Sequence, residues 1–136
     1  MEKYFFSIVI IISFFFSSAF GQDARDYFES GIAKVKLQDN KSAMLDFSKA
    51  IELDSTFINA YISRAELKED NQDIQGAIHD YSRVILIDKA NKDAYLRRGV
   101  LYYKLNLTEK ACNDWEKARD LGLKAAKSFL KNYCEK

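Results

Sequence analysis

Comparing the chain with itself at a shift of 34 residues aligns side chains of one size class through three successive copies, and that period restricts the fold more than any other feature. Tyr27, Tyr61 and Tyr95 fall into register, as do Gly31, Ala65 and Gly99. Ala43, Ala77 and Ala111 follow, then Phe47, Tyr81 and Trp115, then Ala50, Val84 and Ala118, and last Leu53, Ile87 and Leu121. Within each copy the apolar positions recur at helical spacing in two segments split by a polar turn. The expected first helices run near Ala24–Leu37, Phe57–Asp70 and Lys92–Leu105, and the second near Lys41–Leu53, Gln75–Ile87 and Glu109–Leu121. The turns Leu37-Gln-Asp-Asn40, Asp70-Asn-Gln-Asp73 and Leu105-Asn-Leu-Thr108 are rich in side chains that accept hydrogen bonds from helix-start amides.

The small residues make each hairpin close. Gly31, Ala65 and Gly99 fall opposite Ala43, Ala77 and Ala111, so backbones approach to about 8 Å. Phe47, Tyr81 and Trp115 fill the wider part of each wedge, each removing on the order of 150–250 Å² from water.

This Tyr-x(3)-Gly/Ala-x(11)-Ala-x(3)-aromatic-x(2)-Ala pattern resembles the tetratricopeptide repeat, in copies spanning 24–57, 58–91 and 92–125. The resemblance implies an all-α, right-handed superhelix of three helical hairpins plus a C-terminal capping helix, within a domain of residues 22–136. Two columns depart from the family. Its boundary proline is Ser55, Lys89 and Leu123 here, and its leucine before the small residue is Ser30, Arg64 and Arg98. Beyond the third copy, Ala126, Phe129 and Leu130 keep the period, so residues 124–134 read as a fourth first helix that closes the stack, with Tyr133 where a small residue stood before. The stretch Ala111-Cys-Asn-Asp-Trp-Glu-Lys-Ala, then Leu121-Gly, then Tyr133-Cys is also similar to the closing repeat of short exported tetratricopeptide proteins of Gram-negative bacteria.

The first 21 residues differ from the rest. Lys3 precedes the apolar run Ser7-Ile-Val-Ile-Ile-Ile-Ser-Phe-Phe-Phe, and small Ala19 and Gly21 precede polar Gln22-Asp-Ala-Arg. That is the layout of a secretory signal peptide, residues 1–21, with cleavage expected after Gly21 and a periplasmic or extracellular destination. The alternative is a retained anchor, since Tyr4 to Phe20 is close to the roughly 17 residues that span a bilayer. After cleavage no membrane span is expected.

Cys112 and Cys134 lie at similar distances from the turn at Gly122, which sets them level in an antiparallel helix pair. Cys112 shares its column with Met44 and Ile78, and Cys134 follows Leu130 by one turn. In an exported protein this predicts a disulfide, with two buried thiols as the alternative.

The resemblance also implies a concave face lined by the first helices, and with it a protein or peptide partner. Its expected lining includes Phe28 and Ile32 from copy one, Asn59, Ile62, Glu66 and Glu69 from copy two, and Arg97, Val100, Tyr103 and Lys104 from copy three. Phe28 and Tyr103 are the expected aromatic anchors. The family's clamp for a terminal carboxylate would use the positions of Phe28, Ile32, Ser63, Asp93 and Arg97, of which only Arg97 has suitable chemistry. Asp46 with Lys49, Asp80 with Arg83 and Asp114 with Lys117 are spaced as weak surface pairs on the second helices.

Charge is balanced, 21 Lys and Arg against 20 Asp and Glu, so no polyanion such as nucleic acid is expected as the partner. The lone His79, in the column of Leu45 and Asn113, is expected on an outer surface. No phosphate loop, His-Glu-x-x-His or nucleophile elbow occurs. Glu66-x-x-Glu69-Asp70 lies along a helix and lacks the looped oxygen cage of a calcium site. The expectation is a non-enzymatic interaction module or adaptor without cofactor or metal. The alternative is a structural part of a cell-envelope assembly, oligomerising through its end or convex faces.

Overall fold

The computed structural model describes residues 23–135; the expected signal peptide lies outside the described residues. Among the described residues the regular elements are helices: α1 (Ala24–Lys36), α2 (Asn40–Leu53), α3 (Ile58–Asp70), α4 (Ile74–Ile87), α5 (Lys92–Lys104), α6 (Thr108–Asp120) and α7 (Ala126–Tyr133). Helices α1–α2, α3–α4 and α5–α6 pair as hairpins, and each hairpin packs on the next through α2–α3 and α4–α5, with α7 on α6. Chain neighbours are therefore spatial neighbours, the arrangement of an α-helical repeat solenoid.

Local chemistry sets the breaks. Each turn within a hairpin has one residue with positive φ at the same repeat position, Gln38 at 61°, Gln72 at 62° and Asn106 at 58°. Asp39 and Asp73 then cap the next helix by accepting from the amides of Ser42 and Gly76. The third turn differs from expectation: Leu107 holds the cap position and supplies no side-chain bond. Between hairpins, where the family's proline is missing, Asp54 accepts from the Thr56 amide and hydroxyl, and Asp88 from the Ala90 amide.

The glycine column works as the repeat requires. A Cβ on Gly31 would lie 2.5 Å from the Phe47 ring, and one on Gly99 would lie 2.6 Å from Nε1 of Trp115. The space kept open is first that of the wedge aromatic, with the Ala111 carbonyl also 3.2 Å from a Cβ on Gly99. Phe47, Tyr81 and Trp115 are all fully buried.

The expected surface pairs are corrected. Asp80 is fully buried and accepts from Nε and Nη2 of Arg64, both at 2.8 Å, and from Lys68 at 2.8 Å. Asp114, also buried, accepts from Arg98 in the same two-bond geometry at 2.8 Å. Asp46 accepts from Ser30 and Lys34, both at 2.6 Å, while Lys49 pairs with Glu52 instead. Each carboxylate thus binds the residue sixteen positions before it, from the column where the family has leucine. The remaining guanidinium nitrogen crosses to the preceding hairpin, Arg64 to the Ser48 hydroxyl and Arg98 to that of Ser82, each at 3.0 Å. A ladder of charged rungs replaces an apolar seam. It is viable because no buried side-chain polar atom among the described residues lacks a partner.

Two rungs of this ladder are expected to respond to acid. Burial alone would raise the pKa of Asp80, but the hydrogen bonds from Arg64 and Lys68 outweigh it and hold the carboxyl below its usual value. Asp46 follows the same pattern with Lys34 and Ser30. A carboxylate with a depressed folded pKa contributes stability above its unfolded pKa and loses it as pH falls through the folded one. The melting temperature is accordingly expected to hold from about pH 7 to 5 and to drop below about pH 4. A melt series over that range, flat down to pH 3, would contradict the ladder.

The cap differs from a fourth first helix. The period aligns Ser128 with buried Ala94 and Asn132 with Arg98, yet Ser128 and Asn132 are exposed while Ala126 and Leu130 are buried. The helix is turned so that positions two residues earlier, Ala126 and Leu130, are the buried ones. Its cause is the preceding turn: α2 and α4 end on extended Asp54 and Asp88, whereas α6 ends on left-handed Gly122, φ 89°. The amides of Gly122 and Leu123 close back on Arg119 and Ala118, a glycine-terminated helix end that redirects the chain. Tyr133 consequently packs on the third hairpin, 4.7 Å from Tyr103 and 5.8 Å from Trp115. Cys112 and Cys134 are joined in a disulfide, with Cα atoms 5.9 Å apart.

Candidate protein-binding surface

Two adjoining clefts lie along the first helices. One, of about 210 Å³, is lined by Ile62 and Glu66 of α3, by Asp93, Ala94 and Arg97 of α5, and by Tyr81 of α4. The other, of about 270 Å³, is lined by Glu66, Glu69, Asp70 and Arg97. They share Glu66 and Arg97, whose side chains face each other across the helices at 4.0 Å. Both of these groups are about half exposed, so their attraction is largely screened by water and either is free to re-pair.

Tyr81 has two jobs. Its ring is the wedge aromatic of the second hairpin, and its hydroxyl donates to Glu69 Oε1 at 2.9 Å. Burial, then the negative charge of Glu69, pushes the phenol well above its ordinary pKa, so it stays protonated. Glu69 is thereby held at the cleft wall.

Of the residues expected on this face, Ile62, Glu66, Glu69 and Arg97 are brought together here. Tyr81 was expected only as core, and Ala94 was not expected as lining; their signal is that second-helix wedges and first-helix alanines necessarily meet between hairpins. Phe28, expected as an aromatic anchor, is partly buried: its ring lies 5.7 Å from Phe47 and 5.0 Å from Phe57, and with Ile32 it packs against the first hairpin's core. Val100 packs on the Trp115 cluster. Tyr103 stays 39% exposed beside Tyr133, and Lys104 is exposed. Asn59 lines a separate, larger cleft of about 620 Å³ at the other end of α3, among Asp23, Arg25, Leu53 and Phe57. His79 is exposed and meets only the edge of Asp80, at 3.4 Å. No helix among the described residues is long and apolar enough to cross a membrane.

The model for the tetratricopeptide repeat family matches residues 24–57. Among solved structures, the Arabidopsis OM64 TPR domain is 30% identical over 82% of this chain and 93% of its own, with a TM-score of 0.72. The first TPR of Spaghetti (RPAP3), bound to the HSP90 peptide SRMEEVD, is 22% identical over 82% of this chain and 90% of its own, with a TM-score of 0.74. The second TPR domain of human RPAP3, in complex with the HSP70 peptide SGPTIEEVD, is 24% identical over 83% and 96%, with a TM-score of 0.73; these last two likenesses establish the fold alone. Comparison with curated protein sequences gave no match. With its repeated hairpins, its glycine and aromatic columns and its likeness to the OM64 domain, the chain belongs to the tetratricopeptide repeat family.

Proposed function

We propose that this protein is an interaction module that holds a segment of a partner protein across the face of α1, α3 and α5, centred on the cleft between α3 and α5. The observation that carries this reading is the cleft itself: its walls come from successive hairpins and pair an apolar floor, Ile62 and Ala94, with ionisable rims. The solved RPAP3 domains hold peptides ending in EEVD. Here Asp93 stands in the cleft beside Arg97, so an acidic terminus would meet a carboxylate. Glu66, Glu69, Asp70 and Asp93 outnumber Arg97 along the two clefts, which suits a segment that places a cation beside an apolar side chain. We place the module in an exported setting, on the strength of the apolar N-terminal run and the Cys112–Cys134 bridge.

A photo-reactive side chain at position 66 in the native host is expected to capture the partner, and one at exposed Leu86 of α4 is not. Glu66→Lys is then expected to weaken binding of the captured partner about tenfold, or about 1.4 kcal/mol. Equal capture from both positions, or a constitutive oligomer whose contacts ignore Glu66→Lys, would instead favour a structural role through other faces.

A further inference from the structure

The junctions of this stack are not fastened alike. At the first two, a guanidinium reaches back across the boundary, Arg64 to Ser48 and Arg98 to Ser82. At the third, the period puts Glu116 where those serines stood and Asn132 where the arginines stood, and both are exposed. The Cys112–Cys134 bond spans that junction instead, tying the start of α6 to the end of α7. A covalent link takes the place of the missing rung.

The helix it holds is short. α7 has eight residues, far short of the length at which an isolated helix persists in water. Its own Ala126 and Leu130 are buried, and its Phe129 and Tyr133 stand 5.0 and 5.8 Å from Trp115. Tyr133 remains 41% exposed. Among the described residues it packs on the third hairpin alone, and a repeat unit with one neighbour is where an array frays first. Both cysteines are half-buried and neither is sealed in the core.

We propose that α7 is a redox-controlled latch: the disulfide holds it over the apolar end of the stack around Trp115, and reduction by a dithiol releases it. The exchange balances simply. A thiolate of the dithiol attacks one sulfur, the other leaves as a thiolate and takes a proton, and the second thiol of the reductant closes its own disulfide and expels the remaining protein thiol. Two electrons and two protons pass to Cys112 and Cys134. Release uncovers Trp115 and frees Tyr103 from its tilted contact with Tyr133, reshaping that end of the first-helix face whether or not a partner binds there.

Trp115 is the only tryptophan in the chain, so its emission reports the latch directly. Treating the full chain with dithiothreitol under native conditions is expected to shift that emission to the red. Amides of residues 126–133 should lose at least tenfold of their exchange protection, while those of α1 to α4 keep theirs. The Cys112→Ala/Cys134→Ala variant should show the released state without reductant and no response to it. Unchanged emission and protection after reduction would overturn the proposal. So would loss of protection in all helices together, which would make the bond a global staple.

Discussion

Asp80→Ala is expected to lower the unfolding free energy by about 3 kcal/mol, because it strands two cations whose shared counter-charge is fully buried. Arg64 and Lys68 are each less than a fifth exposed, so relaxation toward water recovers only part of the loss. The Arg64 bond to Ser48 also depends on the guanidinium being held by Asp80, so the damage should spread to the boundary between the first two hairpins. Denaturant melts of three proteins decide the matter: wild type, Asp80→Ala, and Arg64→Met/Lys68→Met/Asp80→Leu. The triple variant is expected to recover most of the loss, since a buried ion pair and a well-packed apolar replacement of similar volume are often close in energy. A single-variant loss under about 1 kcal/mol would show that the rung is a surface pair after all.

Trp115→Ala is expected to cost about 3–5 kcal/mol, measured by the same melts. Its ring fills the space beside Gly99, is packed by Tyr103, Phe129 and Tyr133, and donates from Nε1 to the Leu96 carbonyl at 3.3 Å. No helix beyond α7 closes over the void among the described residues. In a stack whose units touch only neighbours the loss should concentrate locally: exchange protection falls in α5, α6 and α7 and stays high in α1 and α2. Uniform loss across the chain would mean that the hairpins unfold as one unit.

Much of the architecture was legible in the residues because its causes are local. Every helix boundary expected from periodicity lies within two residues of the observed one, since helical spacing and polar breaks act over a few residues. The disulfide was legible for a related reason: two positions level across one antiparallel turn need no knowledge of distant packing. The clefts were legible in part. The resemblance implied Glu66, Glu69, Ile62 and Arg97 on one face, and all four line the two clefts.

The rest needed helices placed in space. Asp80 and Arg83, three apart, have the spacing of an ordinary surface pair, and nothing local distinguishes that reading from a bond to Arg64 on the facing helix. The signal was present only as two columns in step, Ser30, Arg64 and Arg98 with Asp46, Asp80 and Asp114. That Phe28 meets Phe57 from the next turn was likewise not visible in the spacing of residues along one helix.

What the chain's order of residues determined alone is the repeating hairpin, because period, small columns and wedge aromatics all act between helices adjacent along the chain. What tertiary structure decided is which charges are buried and how the last helix is turned. Burial depends on helices that converge from different repeats, and the rotation of α7 depends on a single left-handed glycine whose consequence appears only where the chain lands.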